Sequence, residues 1–237
     1  MVSSKLQDDV ATYISHFRSE HEKLLRLEER LHRKLLVVAM LSALAEGRYP
    51  CVRGDKAKFV KLIETYSDWP DATSVSVPQL EMQIEKRGGA TPSGLSENFV
   101  EGLSRRHADW HDRRNRGDIP RLGIDPKPED ILPKSPTQEE KNLVEGTKHS
   151  SLLYLYRCKL VHEFREPGHG FEFDQRDASP YYHSMTELDG HSETIELVYP
   201  TQWFLDLPLP ILTGLETHYI DLGTNPFDSY NFGSPWC

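Results

Sequence analysis

Residues 135–164 read SPTQEEKNLVEGTKHSSLLYLYRCKLVHEF, and this stretch decides the fold class. Ser135-Pro136-Thr137-Gln138 has the pattern of a capping box with proline at the first helical position. Glu139 and Glu140 suit the positive end of a helix dipole. The spacing predicts one helix from about Thr137 to Phe164, ended by Pro167-Gly168. On its wheel Leu143, Thr147, Ser150, Leu153, Tyr154, Arg157, Leu160, Val161 and Phe164 share one broad stripe. Arg157 falls in the middle of that stripe, where an unpaired guanidinium would be costly to bury. It therefore needs a carboxylate partner (Glu28, Glu29 or Glu64), a cleft or a partner surface. His162 lies five residues on, about 140° further round an ideal helix. The two side chains converge only if the helix distorts, the arginine bends across, or a second chain supplies its own copies.

Upstream, residues 5–46 contain neither Pro nor Gly, and their apolar residues fall mostly at three- and four-residue steps. One straight helix of that length would run roughly 60 Å, longer than a compact chain of this size, about 45 Å across. The helix therefore breaks, near Ser19 to Lys23, or projects to pair with another chain. A shorter helix follows over Lys56 to Tyr66, and Val75 and Val77 form a short extended piece. Further helices are expected over Gln79 to Lys86 and Ser96 to Asn115, separated by a loop at Gly88-Gly89. Gly117 to Pro136, with five prolines, reads as an irregular crossover. Downstream, Tyr181 to Glu187 and Glu193 to Tyr199 flank Asp189-Gly190, a hairpin signal. A last helix spans Thr201 to Asp221, kinked or delayed by Pro208 and Pro210, before a polar tail from Gly223.

The fold class is thus mainly α, with a small β-hairpin before the last helix. The whole of 1–237 reads as one domain: a helical core over about 5–66, 136–165 and 201–221, and elaborations over about 68–135 and 168–200. The polar N-terminus, the absence of a long apolar run and three scattered cysteines point to a cytoplasmic protein without a membrane segment or disulfide framework. A net charge of −9 excludes global attraction to nucleic acid, so any RNA contact must be local. No P-loop, GxGxxG or GxSxG is present, against nucleotide-cofactor and α/β-hydrolase chemistry.

Arg157-Cys-Lys-Leu-Val-His162, late in a helix, resembles the R-x4-6-H motif of HEPN domains. The wider stretch from Tyr156 to Gly168, and Leu44 to Pro50 followed by Lys58-Phe59, are similar to a bacterial HEPN-like group. The resemblance covers most of the chain. It implies a four-helix up-and-down bundle, homodimerisation with the two motifs facing across the interface, and RNA cleavage without metal or other cofactor. His162 would then be general base or acid, and Arg157 would hold the scissile phosphate. Lys159 and Arg165 would add phosphate contacts, and Glu163 would orient or compensate a cation. A place in stress response or antiviral defence as a toxin, with a cognate protein partner, follows by analogy alone. Two departures are visible. Cys158 stands where active members often carry Asn, Asp or His, and Phe164 stands where a subset modified by nucleotidyltransferase antitoxins carries Tyr. The alternative is a non-catalytic HEPN-like module for dimerisation or partner binding.

Two further readings concern RRHADWHDRRNR, residues 105–116. His107 and His111 at i, i+4, with Asp109 and Asp112 nearby, outline a two-ligand metal face, but no third-ligand spacing accompanies them; a solvated face is favoured and no metal is expected. Arg105, Arg106, Arg113, Arg114 and Arg116 around Trp110 would make a basic patch with a stacking aromatic, although interleaved acids favour an ordinary surface. Cys158, between Arg157 and Lys159, is expected to pack rather than react.

Overall fold

A computed structural model describes residues 4–86, 94–115, 122–168, 172, 179–186 and 193–230. In chain order its helices are α1 (Ser4–Leu24), α2 (Arg30–Arg48), α3 (Asp55–Tyr66), α4 (Val77–Glu85) and α5 (Glu97–Asn115). They continue as α6 (Pro128–Ile131), α7 (Gln138–Gly146), α8 (His149–Glu163), α9 (Thr201–Asp206) and α10 (Pro208–Leu222). An antiparallel hairpin, β1 (Tyr181–Thr186) and β2 (Glu193–Val198), precedes α9, so the protein is mainly helical with a small β-hairpin. None of the described helices is long and apolar enough to cross a membrane. The turn residues Asp189-Gly190, the Gly88-Gly89 loop, Arg116 and Cys237 lie outside the described residues.

By its internal packing the chain divides into two compact units. The first comprises residues 1–69, 156–166 and 201–237; the second comprises 70–155 and 167–200. The division falls within α8.

In the first unit the long N-terminal pattern is two helices, α1 and α2, joined by residues 25–29. The break lies just beyond the expected one, because His21 is still inside α1 and buried, its ring Nε2–H donating to the Leu205 carbonyl at 2.6 Å. α1 packs on α2 and α10, and α2 packs on α3 and α9. Val10, Ile14, Leu41, Leu44, Leu62, Ile63, Leu160, Ile211 and Leu215 are all buried in this core. Gly214 in α10 carries no side chain because a Cβ there would meet Tyr66 Cδ1 at 2.8 Å. As Pro208 and Pro210 require, the last helical stretch is interrupted, at Leu207, and α10 begins on a proline.

In the second unit α4 packs on α5 and α7, and α6 bridges α5 and α7. The helix expected from Thr137 to Phe164 is two helices. α7 starts two residues later than the sequence pattern places its cap: Thr137 accepts from Glu140 N, and the Glu140 carboxylate takes Thr137 N at 2.8 Å. It stops at Gly146, where the Thr147 hydroxyl donates to the Leu143 carbonyl at 2.8 Å. The turn and bridge at Ala72–Ser76 then supply what a helix start lacks. His149 N donates to the Ser74 carbonyl and Ser150 N to the Ala72 carbonyl, each at 2.9 Å. Those two amides would otherwise be unpaired donors of the first turn of α8. Thr147, His149, Ser150 and Ser151, all polar, are fully buried at this junction.

Candidate functional site

The last turns of α8 carry the motif residues, and all of them belong to the first unit. The centre of the buried face there is Tyr156 and Leu160 rather than Arg157. Val161 and Phe164, expected on the buried stripe, are 39% and 56% exposed. Leu143, Thr147, Ser150, Leu153 and Leu160 of the expected stripe are buried, but towards the end of α8 the buried face runs through Tyr156 and Leu160, away from Val161 and Phe164. Arg157 therefore sits at the margin of the core, half-buried. Its Nε–H donates to Ser42 Oγ on α2 at 3.2 Å, and that hydroxyl donates in turn to the Val38 carbonyl at 2.7 Å. His162 is exposed on the final turn. α8 is regular through both residues, so the separation of about 140° round the helix stands. The helix alone thus sets Arg157 and His162 on different sides of α8.

Glu163 pairs with both of its basic neighbours. Lys159 Nζ contacts one carboxylate oxygen, and Arg165 Nε donates to the other at 2.8 Å. The Lys159 hydrogen bond, with the Arg165 hydrogen bond and charge, holds the Glu163 carboxyl below its ordinary range against the opposing effect of burial. The two expected phosphate contacts are thus partly neutralised by the residue expected to orient them. Cys158 is a half-buried free thiol. α8 ends because Phe164 takes a left-handed conformation, φ +53°, and Arg165 N reaches back to the Lys159 carbonyl at 3.5 Å.

Sequence reasoning missed the cation that is buried beneath this surface. Lys34 of α2 has no solvent exposure, and its Nζ lies 2.8 Å from Glu166 Oε2 and 3.0 Å from Tyr156 Oη. Tyr156 donates its hydroxyl to the same Glu166 oxygen, and Arg30 Nε meets Oε1 at 3.1 Å. The apolar stripe of α2 disguises Lys34. The one signal was a lysine at a core-facing position, four residues before Val38. This cluster ties the chain just after α8 to α2 and so positions the turn that carries His162.

A second polar cluster lies inside the second unit. His149 Nε2 is 2.7 Å from Asp125 Oδ2, and the Tyr182 hydroxyl lies 2.6 Å from that same oxygen and 2.6 Å from Ser76 Oγ. His149 and Tyr182 are fully buried, and burial foremost, with the Asp125 charge, pushes the Tyr182 hydroxyl well above its ordinary pKa. Tyr182 therefore stays protonated and acts as a donor that ties the hairpin to the helices.

On α5 the structure overturns the stacking reading. Trp110 is buried, edge-on to Tyr182 with ring centroids 5.5 Å apart, and presents no platform to a base. Arg113 pairs with Asp109 at 3.3 Å, and Arg105 and Arg106 donate to the carbonyls of Glu101 and Asp130. His107 and His111 do face one another, with ring centroids 4.2 Å apart. The acid beside them comes from another helix: Glu81 of α4 places Oε2 2.7 Å from His107 Nε2. Burial, with Glu85 adding to it, raises Glu81 to about 7, and burial together with His111 lowers His107. Both shifts disfavour the charged forms.

Compared with known proteins, the chain matches no family model, no curated protein and no solved structure.

Proposed function

We propose that this protein is a HEPN-type endoribonuclease that cuts RNA without a metal and acts as a homodimer. In this reading α1, α2, α3, the last turns of α8, and α10 make the HEPN-like core, five helices where the resemblance implied four because the long first helix is two. The observation that carries it is the pairing of roles on α8. An arginine held by Ser42 at the core margin and a histidine open to solvent stand one and a half turns apart, beside the exposed apolar side chains of Val161 and Phe164. A second copy covering Val161 and Phe164 would bring its own Arg157 and His162 to complement the first pair. An imidazole would take the ribose 2′-hydroxyl proton, the 2′-oxygen would attack phosphorus, and the P–O5′ bond would break as the leaving oxygen is protonated. Arg157 would stabilise the charge gathering on the phosphate oxygens.

A non-catalytic dimerisation or partner-binding module is the second reading. It is favoured by the Glu163 carboxylate, which occupies both Lys159 and Arg165, and by Cys158 following the motif arginine.

The test is cleavage of an end-labelled mixed RNA with EDTA present. Wild type should leave 2′,3′-cyclic phosphate ends. His162→Ala should lose about 10²–10⁴-fold in rate, the usual share of a general acid–base group, and Arg157→Ala should lose comparably while both variants keep wild-type circular dichroism and sedimentation. Cleavage unchanged in both folded variants would refute the site. Absence of cleavage by a folded dimer would favour the binding module.

A further inference from the structure

Two histidines one turn apart on α5 meet a carboxylate from α4, and this arrangement has a chemistry of its own. The ligand-capable atoms of Glu81, His107 and His111 all lie within 4.8 Å of one another. The i, i+4 spacing puts both imidazoles on one face of α5, and α4 packs against α5. Ligand atoms of a tetrahedral zinc site, each about 2.0–2.1 Å from the metal, stand roughly 3.3 Å apart. The 2.7 Å contact between Glu81 and His107 need open only slightly, and no pair need close by more than about 1.5 Å, for all three to reach one ion.

We propose that Glu81, His107 and His111 bind a divalent transition-metal ion of the zinc class, with at least one coordination position left to water. Two imidazole nitrogens and one carboxylate oxygen suit zinc, whereas magnesium and calcium take oxygen donors. The side chains of Glu81 and His107 are each 30% exposed, so water reaches the ion and the set is not closed like a four-ligand structural site. Glu85 lies one turn beyond Glu81 on α4 and is near enough to act electrostatically on both Glu81 and His107. With Glu81 deprotonated on binding, its charge and that of Glu85 together would balance a dication. Asp109, adjacent in sequence, is engaged by Arg113 and is not needed. The ion would staple α4 to α5 across their connecting segment, and it belongs to the second unit, apart from the motif residues of α8. The proposal is therefore independent of the ribonuclease reading.

The test uses the full chain, stripped with a chelator and dialysed, then titrated with zinc and separately with cobalt(II). One equivalent per chain is expected, with the visible bands of four- or five-coordinate cobalt and no thiolate charge-transfer band. A zinc excess of about a hundredfold over Kd should raise Tm by about 5–10 °C. His111→Ala and Glu81→Gln should each weaken zinc binding roughly a hundredfold or more, beyond what losing a supporting outer contact costs. Glu81→Gln preserves side-chain shape and guards against a folding artefact, and His32→Ala should bind like wild type. Absence of saturable binding overturns the proposal, as does unchanged affinity in the folded Glu81→Gln and His111→Ala proteins. A cobalt–thiolate band overturns it too, since it would place the ion at a cysteine.

Discussion

Glu166→Ala should destabilise the protein by about 3–5 kcal/mol, the cost of leaving a buried charge without its counter-ion. The magnitude follows from which of the three groups on Glu166 depends on it. Arg30 is 43% exposed and loses only a rim ion pair, worth about 0–1 kcal/mol. Lys34 has no exposure, and it loses the carboxylate at 2.8 Å. The converse change, Lys34→Met, keeps the packing of the stem and leaves Glu166 with Arg30 and Tyr156. It should cost only about 1.5–3 kcal/mol, the scale of one charge-assisted hydrogen bond. The double variant Lys34→Met/Glu166→Leu should cost less than the sum of the two single changes, because neither charge is then stranded. The assay is urea unfolding followed by circular dichroism and by tryptophan fluorescence. Two probes are needed because a chain with two compact units need not unfold in one step. A loss of 4 kcal/mol would lower Tm by about 8–16 °C for a chain of this length. A Glu166→Ala cost below about 1 kcal/mol, or a Lys34→Met cost above that of Glu166→Ala, would refute the reasoning.

Glu140, fully buried at the start of α7, receives hydrogen bonds from Ser96 N at 2.8 Å, Ser96 Oγ at 2.6 Å and Thr137 N at 2.8 Å. Burial pushes its carboxyl up, but these donors outweigh it and hold the folded value below the ordinary 4.5. Its stabilisation is thus fully present above pH 4.5 and fades as pH falls through the lower folded value. The gap in unfolding free energy between wild type and Glu140→Gln should therefore narrow from pH 7 to pH 3.5, and a gap that widened would reverse the sign. Tyr182→Phe removes the hydroxyl between Asp125 and Ser76 and should cost about 1–3 kcal/mol, since it strands buried polar atoms. Unchanged urea midpoints would show that this link does not hold the hairpin.

The elements were largely legible in the sequence, because helix and strand signals are local. Apolar spacing located α3, helices were expected where α5 and α10 lie, Pro208 and Pro210 foretold the interruption before α10, and the segments flanking Asp189-Gly190 located the hairpin. Arg157 could be singled out by residue type and helical phase, and His162 only through the resemblance to the R-x4-6-H motif. What failed was the continuity from Thr137 to Phe164. Gly146-Thr147 looks tolerable inside a helix until the Ala72–Ser76 backbone arrives to cap α8, and the carbonyls that cap it lie 75 and 78 residues away. The same long-range cause hid the burial of Lys34, which becomes affordable only where Glu166 and Tyr156 converge on it. It also hid the third member of the His107–His111 pair, because Glu81 reaches it across α4 and α5. Periodicity assigns a residue to a face, but only the packing of distant segments decides which charge meets which partner on that face.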